Sequence, residues 1–93
     1  MITVHTEFHS HFRELAARAR DSFELERPLV AELAERIAER YGEKMKAMLI
    51  DPETKELNER GTMFVDTKGR RISMEDTLAD GETITFLVGI AGG

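Results

Sequence analysis

The chain has no cysteine. That absence excludes a disulfide framework, a thiolate zinc site and a cysteine nucleophile of its own. Proline occurs only twice, and no apolar run approaches the roughly 20 residues that span a bilayer. The opening Met1-Ile2-Thr3-Val4-His5 lacks the basic stretch and apolar run of a secretory signal, so a cytoplasmic address and no membrane partner are expected. Positive charge is in deficit, with 13 Lys and Arg against 18 Asp and Glu and a formal net charge of −5. Phosphate backbones demand basic surface, so nucleic acid is not an expected partner. A protein with a basic docking face suits this charge better. Length is short as well: 93 residues make one domain, expected to span 1–93. A domain of that size buries about 60–70 % of its unfolded surface, and an enclosed active site would consume most of the core. No Ser/His/Asp set, phosphate-cradling Gly-rich loop or pair of catalytic carboxylates stands out. What is present is the composition of a folded protein, 41 % hydrophobic and 33 % charged.

Hydrophobic periodicity organises the chain. Ile2, Val4, Thr6 and Phe8 alternate with Thr3, His5 and Glu7, which predicts a half-buried strand. His9 to Ala19 reads as a short helical turn or an irregular connection, with Phe12, Leu15, Ala16 and Ala19 at helical spacing. Asp21 to Arg27 reads as a second strand, an antiparallel neighbour of the first. Pro28 to Tyr41 carries Val30, Leu33, Ala34, Ile37, Ala38 and Tyr41 on one helical face. Pro28 suits the first helical position, Gly42 suits the closing left-handed position, and Glu32 with Arg36 suits an ion pair on the wet face. Glu43 to Gly61 is polar and mixed, with an apolar patch at Met45, Met48, Leu49 and Ile50 and a turn over Asp51-Pro52-Glu53-Thr54-Lys55-Glu56. Thr62 to Asp66 reads as a third strand, Thr67-Lys68-Gly69 as a hairpin turn before Arg71-Ile72, Met74 to Leu78 as a short turn, and Asp80-Gly81 as a tight one. Glu82 to Val88 is the final strand, with Ile84, Phe86 and Val88 on one face and Thr83, Thr85 and Leu87 on the other. The expected class is α+β: a small mixed sheet of four or five strands under one main helix of about 14 residues. Parallel pairing of first and last strands would use that helix as its crossover.

After the last strand come Gly89-Ile90-Ala91-Gly92-Gly93. At ordinary glycine usage a terminal Gly-Gly arises about once in 200 chains. A frayed end or a cloning remnant explains it blandly. The functional reading has a chemical reason. A terminal carboxylate is a poor electrophile until ATP converts it to an acyl-adenylate, and a second enzyme must then reach the carbonyl through a narrow channel. Glycine, with no Cβ, permits that close approach.

This tail, the β-β-α-β order and the size resemble the MoaD/ThiS family of ubiquitin-like β-grasp sulfur carriers. Phe8 with Phe12-Arg13-Glu14-Leu15 resembles the stretch after the first strand of the small molybdopterin-synthase subunit. Met48-Leu49-Ile50-Asp51-Pro52, Leu57 and Met63-Phe64-Val65-Asp66 resemble longer MoaD-like carriers and archaeal small modifiers, and Asp80-Gly81-Glu82 before the last strand is a family habit. The resemblance implies a ubiquitin-like β-grasp fold and a carrier that is not itself an enzyme. Gly93 would be adenylated and converted to a thiocarboxylate, with Gly92 its required neighbour. The partners implied are an E1-like adenylating enzyme of the MoeB/ThiF type, a sulfur donor enzyme, and an acceptor synthase or large subunit. ATP and magnesium would come with the E1-like partner, and no cofactor would be bound by the chain itself. Phe86, Leu87, Val88, Ile90 and Ala91 would form the docking surface. Conjugation to lysines through the same glycine is the alternative use, and a β-grasp interaction module that never activates its tail is a third. Molybdopterin-synthase carriers often place two prolines before the tail, where this chain has Val88-Gly89. The receiving pathway stays open among molybdenum cofactor, thiamine, cysteine and thiolated tRNA.

Other features read as surface or core. His5, His9 and His11 cluster without a carboxylate or cysteine at metal-site spacing, and are expected to be solvated. Arg13, Arg18, Arg20 and Arg27 interleave with acids, and Glu53, Glu56 and Glu59 form an acidic patch; both are expected to be wet faces. Met45 and Met48 suit core packing. The lysines, Lys44, Lys46, Lys55 and Lys68, are ordinary surface residues.

Overall fold

The computed structural model describes residues 1–58 and 61–88. Alternation builds β1, Ile2–Phe8, as expected: Val4, Thr6 and Phe8 are buried and His5 is exposed. The ambiguous stretch after it is helical. Helix α1 spans Ser10–Ala16, burying Phe12 and Ala16 four residues apart, and closes where Ala17 turns left-handed at φ 58°. Strand β2, Arg20–Leu25, pairs antiparallel with β1, Ile2 lying opposite Leu25. It stops two residues before the expected Arg27. The amides of Glu26 and Arg27 turn away to the Glu32 carboxylate, at 2.6 and 3.2 Å.

Helix α2 spans Val30–Tyr41 and buries Val30, Leu33, Ala34 and Ile37. Two expectations at its start need correction. Pro28 precedes the helix instead of opening it. Its carbonyl accepts the Leu78 amide at 2.8 Å, and Leu29 is the extended N-cap, bridged to Thr77. The free amides of the first turn find tertiary acceptors, Val30 donating to Asp76 O at 3.0 Å and Ala31 to Met74 O at 3.2 Å. Glu32 does not pair with Arg36. It is 5 % exposed and holds the Glu26-Arg27 loop, including the Arg27 Nε at 3.1 Å, while Arg36 pairs with Glu39 at 3.2 Å.

Gly42 ends α2 at φ 93° and ψ −168°, a positive-φ conformation other than the expected left-handed helical one. Its amide closes onto Ala38 O and its carbonyl accepts the Lys46 amide, so a further helix starts at once. Helix α3, Glu43–Leu49, was not legible as a helix. Its apolar signal is only Met45 and Leu49, both buried, with Met48 half-buried. Among the described residues, α1 and α3 thus accompany α2, the main helix that was expected. The predicted turn follows. Asp51 Oδ1 accepts the Glu53 amide at 2.8 Å and Asp51 O accepts the Lys55 amide at 2.8 Å.

Strands β3, Thr62–Val65, and β4, Thr83–Val88, complete a four-stranded sheet in the order β2-β1-β4-β3. β4 runs parallel to β1 and antiparallel to β3. Helices α2 and α3 lie on the crossover that parallel pairing demands. The hairpin turn after β3 is tied by Asp66, and Gly81 turns into β4 at φ 84°. The sheet's inner face meets the helices through an aromatic cluster. Phe86 lies 5.3 Å from Phe8, 5.8 Å from Phe12 and 5.4 Å from Phe64 between ring centroids, and Phe12 lies 5.6 Å from Phe64. One mixed sheet wrapped around helices on one face is the ubiquitin-like β-grasp arrangement.

Candidate functional site at the end of the last strand

β4 is an interior strand, hydrogen-bonded on both sides and leading toward the glycine-rich end of the sequence. The turn before it is fixed at several points. Thr67 Oγ1 donates to Thr83 O at 3.2 Å and accepts the Thr83 amide at 3.1 Å. Asp80 Oδ1 accepts the Thr3 amide at 2.8 Å, and Thr3 O accepts the Gly81 amide at 2.7 Å. At the other end His9 donates its amide to Phe86 O at 3.0 Å, tying the entry to α1 against the exit of β4. The strand is therefore held rigidly from one end to the other.

The two faces of β4 alternate as the sequence reading assigned, with Ile84 and Phe86 inward, but the inward face is core. Phe86 is 2 % exposed and sits among Phe8, Phe12 and Phe64. Its ring is core and cannot be part of a docking surface, which corrects that expectation. Val88 is half-buried against the core side. Leu87 is half-buried on the opposite, outer face, where the register places Met63 directly across from it and Val65 across from Thr85. Met63, Val65 and Leu87 form an apolar strip on the outer sheet face. Sequence reasoning missed Met63 and Val65. Period two places both on one side of β3, but only the pairing register sets them beside Leu87. Gly89, Ile90, Ala91, Gly92 and Gly93 lie outside the described residues, as does Glu59.

The outer face turns polar toward β2. His5 hydrogen-bonds Ser22 Oγ at 2.8 Å, and Glu7 lies 3.8 Å from both His9 and Arg20. His11 is engaged elsewhere, with Glu14 at 3.1 Å. The three histidines thus serve separate contacts. Among the described residues no three metal-ligating side chains come together. Arg18 pairs with Asp21 and Arg27 with Glu32, so the basic stretch is interleaved with acids in space as in sequence.

Three carboxylates hold the scaffold in its charged state. Burial opposes ionisation of Asp21, but hydrogen bonds from the Tyr41 hydroxyl, Arg40 and the Ser22 amide outweigh it and hold the carboxyl below its ordinary value. Burial, reinforced by that bond to Asp21, pushes the Tyr41 phenol up to about 12. Glu32 is likewise disfavoured by burial and then lowered by the Arg27 and Glu26 donors. Asp66 is lowered first by the Arg70 amide, against burial, with help from the Lys68 amide and the Arg70 guanidinium. None of these groups lines an enclosed cleft; all three acids brace turns or strand ends. The arrangement can present a strand end and a surface, and carries no assembled catalytic set among the described residues.

The fold defines a class: small β-grasp domains of the ubiquitin-like kind. Solved structures of this class superpose over nearly the whole chain. SAMP1 of Haloferax volcanii matches with TM-score 0.80 and 11 % identity over 98 % of this chain and 99 % of its own. A protein of Pyrococcus furiosus assigned as molybdopterin converting factor, subunit 1, matches with TM-score 0.76 and 24 % identity over 97 % and 100 %. The HVO 2177 protein of Haloferax volcanii matches with TM-score 0.80 and 18 % identity over 99 % and 87 %. No family profile and no curated protein matches the sequence.

Proposed function

We propose that this chain is a sulfur carrier, activated at the carboxyl group of Gly93. The observation that carries the reading is the placement of the Gly92-Gly93 end. It follows an interior, doubly paired strand whose outer face bears the apolar strip of Met63, Val65 and Leu87. An E1-like enzyme docks on that strip and receives the tail. The Gly93 carboxylate attacks the α-phosphorus of ATP and expels pyrophosphate, with magnesium and the phosphate-binding groups belonging to the enzyme. A persulfide on a donor enzyme attacks the acyl carbon and displaces AMP. A second thiol of the partner enzymes then cleaves the S–S bond, leaving a thiocarboxylate on Gly93 and a disulfide on the partner. An acceptor synthase consumes the thiocarboxylate. Gly92 gives the approach its clearance. The chain's own part is to orient and present; it binds no cofactor in this scheme and acts in the cytoplasm. Described residues include no helix long and apolar enough to cross a membrane.

The fold shared with a molybdopterin converting factor subunit supports a carrier. The fold shared with SAMP1, a small archaeal modifier protein, favours a second use of the same activated carboxyl, isopeptide bonds to lysines. Incubation with an E1-like enzyme, ATP and a sulfur donor, read by intact mass, separates them. Exchange of one oxygen for sulfur at the C-terminus identifies the carrier, and higher-mass protein adducts identify the modifier. If partner binding survives loss of Gly92 and Gly93 and neither product forms, the domain is an interaction module instead.

A further inference from the structure

The sheet has two edges, and they are treated differently. The outer side of β3 is met by the following segment, with Val65 bridged to Arg71 and the Ile72 amide donating to Phe64 O at 3.1 Å. Among the described residues no strand lies beyond β2. The Phe8 amide donates to Ala19 O at 2.8 Å, which sets the phase of the β1–β2 ladder. Ala19, Asp21, Phe23 and Leu25 turn their backbone groups toward β1, so Arg20, Ser22 and Glu24 turn theirs outward. A groove of about 700 Å³ runs beside this edge, walled by Arg36, Glu39 and Arg40 of α2. An open edge is a template for a further strand.

The side chains along that edge say which strand. The segment reads Arg18-Ala19-Arg20-Asp21-Ser22-Phe23-Glu24-Leu25-Glu26, with arginines before Ser22 and glutamates after it on alternate positions. Arg20, Ser22 and Glu24 share the outer face. Two copies related by a twofold axis through Ser22 place each Arg20 opposite the other's Glu24. The outward backbone groups of residues 20, 22 and 24 are then the ones that pair. Opposite charges directly across an antiparallel ladder attract and like charges repel. A slip of two residues sets Ser22 against Arg20 or Glu24, and parallel in-register pairing sets Arg20 against Arg20. Of these arrangements, only the twofold through Ser22 sets Arg20 against Glu24 within the strand.

We propose that a second copy of this chain is the occupant of the β2 edge, joining two four-stranded sheets into one of eight strands. Two side chains guard the edge in the single copy. Arg40 Nη1 donates to Ser22 O at 3.1 Å, and the Ser22 amide donates to Asp21 Oδ1 at 2.7 Å. The incoming Ser22 replaces both contacts, and Arg40 keeps its bond to Asp21 Oδ2 at 2.8 Å. The contact is one six-residue strand per copy, small beside the roughly 1,600 Å² of a stable interface, so association is weak and concentration-dependent. β1 separates the joined edge from β4. The apolar strip therefore stays open in the dimer, which presents two activatable ends.

Sedimentation equilibrium of the full chain at low salt, from about 10 µM to about 1 mM, tests this in the range of weak association. A monomer–dimer equilibrium that added salt weakens is expected. Arg20→Glu and Glu24→Arg each set like charges across the ladder twice and weaken dimerisation about tenfold or more. The double variant R20E/E24R restores it, since the pairs are re-formed in reverse. Glu24→Gln, which adds no new charge, gives an intermediate loss. A chain monomeric throughout overturns the proposal. So does a double variant no better than its worse single, or a dimer abolished by Leu87→Asp and indifferent to Arg20→Glu.

Discussion

At the scale of single residues, the aromatic cluster holds β4 against the helices, and three carboxylates brace the turns and strand ends around it. Phe86 touches three other rings and is 2 % exposed. Phe86→Ala removes those contacts and leaves a cavity, at a cost of about 3–5 kcal/mol; urea denaturation should show the midpoint falling accordingly. Asp21, Glu32 and Asp66 all ionise more readily folded than their ordinary values of 3.8, 4.5 and 3.8. Their contribution to stability is therefore complete above those values and is lost as pH falls through the lower folded-state values. Urea midpoints should be flat from neutral pH to about pH 5 and drop steeply below about pH 4. Asp66→Asn should flatten part of that acid slope. Little of this was legible beforehand. Glu32 sits at a position that a helical wheel assigns to the wet face, and only the return of the Glu26-Arg27 backbone makes it a buried acceptor.

Elements were legible where one period ran long enough. β1, α2 and β4 follow from alternation or helical spacing, and β2 from Phe23 and Leu25. α3 was hidden because two buried residues, Met45 and Leu49, do not establish a period in a polar stretch, and Gly42 reads equally as an end or as a join. Helix α2 began later than Pro28 because its first amides are satisfied by the 74–76 segment, contacts that no local pattern encodes. The joint itself is testable. A Cβ at Gly42 meets nothing within 4 Å, yet φ is 93°. Gly42→Ala should therefore destabilise by about 1 kcal/mol or more through the backbone alone, measurable in the same denaturation. An unchanged midpoint would mean that the α2–α3 joint adopts another conformation. On β4 the faces were predicted correctly as alternating, but which face a partner could meet depended on the layer above. Leu87→Asp, on the outer strip, should cost about 0.5–3 kcal/mol and, in the chain that remains folded, sharply lower the rate of activation by an E1-like enzyme, read as pyrophosphate release. An unaltered rate would remove the strip from the docking surface.

At the scale of the molecule, the shortages read at the outset become consistent with one design. A 93-residue acidic chain without cysteine has no thiol of its own to compete for an activated acyl group. Its described residues build a braced sheet and assemble no catalytic set. The glycine end was the clearest functional signal in the sequence, and the β-grasp fold gives it a rigid strand to extend from. The most direct test of the account is the intact mass of the chain after incubation with an E1-like enzyme, ATP, magnesium and a sulfur donor. The account predicts replacement of one C-terminal oxygen by sulfur, abolished when Gly93 is deleted. Unchanged mass with a partner enzyme that activates other carriers, or sulfur incorporation that persists without Gly93, would contradict it.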